Sequence, residues 1–446
     1  MLTVNGIPED YPKKVAVVIS NKDFNVVARA FIILTYLLND DDVLLAAENT
    51  IHLWYSAFIP KSLDNWIRGP LHDEIRAEYG FEDNIERLLA DKISDVCTLR
   101  MYGETADVSK SISLKLRYTD WRKLLRYLER ELNREEAKSA RNAVVSCESR
   151  LDSRERYLFR QPPAERPCHV RFREEGVLLP MGRPLHDMVE PNVTLFDFSS
   201  GVVTWLLDDT KGPERGWSRS EFKKASPGYT KNDIYGKLFY YLRSIITTFH
   251  ARMRTLNIEF RVEHDSLHRL KECFFDRILL PEEDTHSYVV PPGIKGWPGH
   301  FLNLLNPSAT IIAPYRIFPC RTGKMNTHDN RHEFIHILLR HFKLKNLPKN
   351  TLPILRTVDP LELQIIEMAP PFKDINVLFE KNLCESHFRG AWEGSNILKK
   401  RENTIVKPWP YFPGVKSTPG AESTVEDDQD LFCEDRYPAI CYTEWD

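Results

Sequence analysis

Val15-Ala16-Val17-Val18-Ile19-Ser20, then Asn21-Lys22-Asp23, then the apolar run Val26 to Leu38, is the stretch on which the fold turns. The first six residues are mostly β-branched and apolar, the pattern of a short strand buried on both faces. The run after Asp23 is apolar enough for a buried helix. A strand, a polar turn carrying an acid and then a helix make half of a Rossmann-type unit. Val43–Phe58 reads as a second apolar helix, stopped before Pro60.

Further along, the character changes. From Leu63 to Arg160 charged helical patterns dominate, over Asp83–Ile93 and over Asp120–Glu148, where Leu124, Leu128 and Leu132 share one face. This predicts a helical insertion outside the central sheet. Residues 161–228 carry more Pro and Gly and short strand-like pieces at Val193–Phe198 and Val202–Leu207. Thr230 or Asn232 then caps a long, central helix, Asn232–Met253. Strands are expected at Ile258–Val262, Phe274–Leu280 and Ala309–Ala313, with a short helix at Gly299–Leu305. Ser417–Asp435 is acidic and rich in Gly, Pro, Ser and Thr, a composition that predicts disorder. The domains read as 1–62 and 161–416 for a Rossmann-like body, 63–160 for the insertion and 417–446 for the tail. No internal repeat is evident.

Composition narrows the function classes. A hydrophobic fraction of 42% with 28% charged residues is that of a globular chain. A formal net charge of −3 gives no global basic field for nucleic acid or an anionic membrane. The longest apolar run, Ala30 to Leu38, is too short to span a bilayer. Met1–Lys14 has charge and proline where a secretory segment needs an apolar core. The eight cysteines are scattered without a CxxC pair, so they read as reduced thiols and the expected location is the cytoplasm.

Four stretches in order add a family likeness. They are Asp23-Phe24-Asn25-Val26-Val27-Ala28-Arg29-Ala30 with Ile51-His52-Leu53-Trp54-Tyr55-Ser56; Asn232-Asp233-Ile234-Tyr235-Gly236-Lys237-Leu238; Phe275-Asp276-Arg277-Ile278; and Asn403-Thr404-Ile405-Val406-Lys407-Pro408-Trp409-Pro410, closed by Glu444-Trp445. In these the chain resembles fungal proteins carrying the uncharacterised domain shared with dynein axonemal assembly factors, relatives that look like methyltransferases by fold. The resemblance implies an α/β, Rossmann-like (methyltransferase-like) sheet. It also implies a strand and a Gly-x-Gly-Asp-type loop ahead of the Asp segment, where backbone amides approach a cofactor because glycine permits the close contact. Here Gly6 is the sole glycine before Asp23. The fold therefore reads as N-terminally truncated: either a degenerate copy, or a chain whose first segment is missing.

Two carboxylates are the candidate cofactor-binding residues. Asp23 stands at the end of a strand, where Rossmann folds place the acid that holds ribose hydroxyls, and it reads equally as the cap of the following helix. Asp276 follows a buried strand, where α/β folds gather site groups, or it pairs with Arg277 or caps a turn. Tyr235, Phe239, Tyr240 and Tyr241 read as core at helical spacing, or as an aromatic pocket. His332-Glu333-Phe334-Ile335-His336 is a literal HExxH, which on a helix places two imidazoles one turn apart for Zn²⁺. The metzincin extension fails, since Leu339 and Phe342 stand where its Gly and third His belong. No metal site is expected. The leading expectation is a non-catalytic methyltransferase-like protein that acts through protein partners, without a cofactor. The alternatives are an S-adenosylmethionine-dependent methyltransferase with an atypical or missing glycine loop, and a zinc hydrolase at His332, Glu333 and His336.

Overall fold

A computed structural model describes residues 1–79, 96–102, 111–198, 201–207, 212–225, 228, 230–264, 274–280, 302–303, 306–317, 399–406 and 439–445. The chain divides into two compact units. The first holds residues 1–154, 163–215 and 221–269, and the second holds 155–162, 216–220 and 270–446. The predicted helices at 83–93 and 299–305, the HExxH segment and the acidic tail fall wholly or mostly outside the described residues.

In the first unit, β1 (Val15–Asn21) leads through Asp23 into α1 (Phe24–Asn39). The Asp23 carboxylate accepts the Asn25 N–H at 2.8 Å, satisfying one of the donors that a helix start leaves open. Phe31 and Ile32 of α1 are fully buried. The helix stops at Asp40, whose carboxylate takes the Tyr36 hydroxyl at 2.6 Å. Two residues on, Asp42 caps α2 (Val43–Tyr55) by accepting from the Leu44 and Leu45 amides. A run of three aspartates thus closes one helix and opens the next.

β2 (Val96–Tyr102) and β3 (Ser111–Arg117) are followed by α3 (Tyr118–Glu129) and α4 (Arg134–Val145). Both strands come from the stretch expected to be a helical insertion, and that expectation is corrected. Ile112, Leu114 and Leu116 are apolar at every second position and buried, with Ser111 and Ser113 buried between them and Lys115 exposed, a sequence period that the charged helical patterns on either side mask. The helix expected over Asp120–Glu148 is two helices. Asn133 starts the second by accepting the Glu136 N–H at 2.8 Å, and Arg68 Nη1 donates to the carbonyls of Leu128 and Arg130 at the end of the first.

α5 (Arg166–Glu175) ends on Gly176 at φ 72°, a left-handed cap that favours glycine. Arg141 crosses from α4 to donate to the Phe172 and Arg173 carbonyls at 3.0 and 2.7 Å. A Cβ on Gly176 would stand 2.9 Å from its Nε. The strand-like pieces near 193–207 reduce to two paired two-residue strands, Phe196–Asp197 and Thr204–Trp205. The long helix is α6 (Ile234–Thr255), capped by Asp233, which accepts the Gly236 N–H, rather than by Thr230 or Asn232. It leads to β4 (Ile258–His264).

These strands form one mixed sheet in the order β1-β4-β3-β2, with β1, β4 and β3 parallel and β2 antiparallel. α1 packs on β1, β4 and β3, and α6 packs on α2. β1 was expected to be buried on both faces. Among the described residues it pairs with β4 alone, at the edge of the sheet, with Ala16 exposed and the rest of the strand half-buried. Among the described residues no helix is long and apolar enough to cross a membrane.

The second unit is built on β5 (Arg277–Leu279), β6 (Thr310–Ile317) and β7 (Ala439–Trp445), with β6 in the middle, parallel to β5 and antiparallel to β7. Glu444 of β7 is fully buried. Its carboxylate accepts the backbone N–H groups of Thr404, Ile405 and Val406 at 2.8, 2.6 and 2.8 Å, the Thr404 hydroxyl at 2.9 Å and Lys400 Nζ at 3.3 Å. Asn403 adds a donor to the Tyr442 carbonyl and an acceptor for the Glu444 N–H. Burial alone would raise the carboxyl, but the amides of Thr404, Val406 and Ile405 outweigh it and hold it at about 2.

Candidate functional site

In a sheet with parallel strands, ligand groups gather at the carboxyl ends of those strands. In the first unit that end carries Asp23 after β1, His264 at the end of β4 and the start of α3 after β3. His264 Nδ1 lies 2.7 Å from Asp120 Oδ2, and its Nε2 lies 2.9 Å from the Lys22 carbonyl oxygen. The ring therefore ties β4 to α3 and to the turn after β1, and neither nitrogen is open to a substrate.

Aromatic rings fill the space beside it. Phe24 meets Tyr127 edge-on at 6.3 Å and His264 at 5.8 Å, and Tyr127 meets Phe198 at 6.2 Å. Lys123 Nζ stands 4.4 Å over the Phe24 ring and the Arg130 guanidinium 4.3 Å over Phe198, a basic rim on an aromatic cluster. Burial holds the Arg29 guanidinium below its usual range, against the pull of Tyr127, Asp23 and Tyr55. Burial likewise drives the Tyr127 phenol well above its ordinary value. The Tyr127 hydroxyl is buried, and among the described residues it meets no hydrogen-bond partner.

Asp23, the first candidate cofactor residue, acts here on its own backbone. One oxygen accepts the Asn25 N–H, and its own N–H donates to Asn21 Oδ1 at 2.8 Å. A carboxylate occupies the positive end of α1, the position where dinucleotide folds receive an anionic group of the ligand. Asp276 belongs to the second unit. Its carboxylate accepts from Asn303 and Asn306 at 3.0 and 2.7 Å, and its carbonyl accepts the Thr310 N–H, so it fixes the turn that enters β6. Arg277, the expected partner of Asp276, donates to the Asp276 carbonyl oxygen and to Ser308 and Thr310.

The aromatic residues of α6 divide between core and surface. Tyr235 and Phe239 are buried, Tyr235 against His169 and Phe172. Tyr240 and Tyr241 line an open cavity of about 600 Å³ with Lys224, Arg243 and Ser244. Arg243 stacks over Tyr240 at 4.8 Å and pairs with Glu48, which also holds Arg183. Burial opposes the charge on Glu48, but the two guanidiniums carry its carboxyl below the ordinary range.

Residues that sequence reasoning passed over include Tyr127, Asp120 and His264; Arg29 was quoted only as part of a motif. Asp120 and Tyr127 sit in a helix that reads as a solvated face, and nothing local marks them as neighbours of β4. Among the described residues, no group of three or more His, Cys, Asp or Glu side chains is placed to hold a metal ion.

The site is thus led by the β1–α1 turn, and that turn lies in the part of the chain with a recognised counterpart. Residues 1–59 match the family model of a domain of unknown function (DUF4470). The match covers β1, α1 and α2, including Asp23 and Arg29. No curated protein and no solved structure matches the chain.

Proposed function

We propose that this protein is a non-catalytic, methyltransferase-like scaffold on a Rossmann-like sheet, acting in the cytoplasm through protein partners. The Asp23 cap carries the reading. Its carboxylate accepts the Asn25 N–H and closes the start of α1, which supports a capping role for Asp23 over one of holding ribose hydroxyls. The ring of His264, held at both nitrogens, supports the same reading, since a general base needs a nitrogen within reach of substrate.

Isothermal titration with S-adenosylmethionine tests it. The expected result is no heat of binding at ligand concentrations up to the millimolar range. Micromolar, saturable binding would overturn the reading in favour of a methyltransferase that completes its site without the glycine loop.

A further inference from the structure

Two donors in the first unit lack an acceptor, and they are neighbours. The Tyr127 phenol is buried, and among the described residues its hydroxyl meets no hydrogen-bond partner. Arg29 of α1 is half-buried, and its guanidinium makes no ion pair and no hydrogen bond among the described residues. Each of the two is the side chain that acts most strongly on the other's charge. A desolvated guanidinium without a counter-ion is costly, and so is a buried hydroxyl without an acceptor. Such groups in a folded protein call for an occupant that completes them.

The surroundings define that occupant. Asp23 acts on both groups and Asp197 on Tyr127, yet neither carboxylate hydrogen-bonds to them. Lys123 and Tyr127 lie one turn apart on α3, and Arg130 is its C-cap. Lys123 Nζ stands over the Phe24 ring and the Arg130 guanidinium over Phe198, and both rings meet Tyr127 edge-on. Among the described residues neither cation pairs with a carboxylate. Three cations against two carboxylates leave one positive charge unbalanced around the pair. That balance suits a single negative charge, and the guanidinium fork matches the two oxygens of a carboxylate.

We propose that Arg29 and Tyr127 form a receptor for one carboxylate group, which accepts from the guanidinium and from the phenol O–H, with Lys123 and Arg130 flanking it. Arg29 is the more exposed of the two donors, so the carboxylate enters past the guanidinium. The receptor does not use the Asn25 amide, which Asp23 holds. An acidic side chain of a protein partner and a free small carboxylate present the same group, and their affinities separate them. The receptor goes beyond the scaffold reading and does not rest on it.

Phenylglyoxal, which modifies unpaired guanidiniums, tests the receptor in the full, unaltered chain, read by mass spectrometry. Arg29 should be labelled, and saturating acetate should slow its labelling at least tenfold relative to chloride at equal ionic strength. The exposed Arg122 and Arg126 of α3 should be unaffected. Tyr127→Phe keeps the ring and removes only the hydroxyl. Because no described residue accepts from that hydroxyl, the variant should unfold at no lower temperature, while acetate protects Arg29 about tenfold less well. Arg29→Gln should abolish calorimetric binding of a glycine–serine peptide with one central glutamate; if that variant does not fold, the labelling decides alone. Peptide binding at least tenfold tighter than acetate, with the margin lost in Lys123→Gln, marks a protein side chain as the source, and equal affinity marks a free carboxylate. The proposal is overturned if Arg29 is not labelled or acetate does not protect it. It is also overturned if Tyr127→Phe lowers the unfolding temperature, or if that variant is protected as well as the unaltered chain. Stronger protection by inorganic phosphate than by acetate would overturn the assignment to carboxylate. Heat of binding with S-adenosylmethionine would overturn the preceding reading, while acetate and Tyr127→Phe decide this one, so the two fail separately.

Discussion

Replacing Glu444 by Gln should be among the most costly single changes in the second unit. The carboxylate accepts five hydrogen bonds, three of them from consecutive amides, and it is fully buried. The amide of Gln keeps one acceptor oxygen and turns a donor toward amides that are themselves donors, so buried N–H groups are left unsatisfied. The magnitude follows from linkage. The carboxyl is held at about 2 against an ordinary 4.5, and at 1.36 kcal/mol for each pH unit this is about 3 kcal/mol at neutral pH. The folded pKa is the depressed one, so the contribution is complete above pH 4.5 and is lost as pH falls toward 2. Hydrogen exchange of the Thr404–Val406 amides reads it locally. At pH 7, Glu444→Gln should lower their protection on the order of a hundredfold. Near pH 2.5, where the wild-type carboxylate has lost most of its advantage, the two proteins should differ by less than about tenfold. Equal protection at pH 7, or a hundredfold gap that persists at pH 2.5, would refute the reasoning.

Other expectations follow from single contacts. Asp23→Ala removes the α1 cap and should cost about 1 kcal/mol in urea unfolding, with Asp23→Asn nearly neutral; a cost above about 3 kcal/mol would mean that Asp23 does more than cap. Asn192 is fully buried and donates to the carbonyls of His52, Leu53 and Ser56, so Asn192→Leu should destabilise the first unit by about 3 kcal/mol, checked by thermal unfolding. Burial lowers the His52 imidazole to about 4. Its folded value lies below the unfolded 6.5, so the stability that His52 confers is present above pH 6.5 and is lost as pH falls toward 4. His52→Gln should flatten the stability profile across that window, and an unchanged slope would show that another group titrates there.

Much of the fold was legible where structure is local. The strand at Val15, the helix after Asp23, the long helix before Ile258 and the strand beginning at Ile258 follow from apolar runs, which act over a few residues. The Asp23 cap was legible for the same reason. β2 and β3 were not, because a period-two stretch lay between charged helical patterns that dominate any window wide enough to show them. Nor was the break at Asn133, where a side chain accepting one amide outweighs a continuous helical pattern.

The candidate site was legible only in part. Asp23 and Arg29 fall in a stretch read from the sequence, yet Tyr127, Asp120 and His264 join them through parallel pairing of strands far apart in the chain. The sequence by itself determined the strand at Val15, the helix after Asp23 with its aspartate cap, and the long helix before Ile258, because those preferences are set by each residue's own backbone and near neighbours. Only the tertiary structure decided that β1 pairs in parallel with β4, a strand far along the chain. It alone placed Glu444 on the Thr404–Val406 backbone, and it alone divided the aromatic residues of α6 between core and cavity. Partner choice between distant segments depends on the burial and hydrogen bonding of the assembled unit, which no local periodicity encodes.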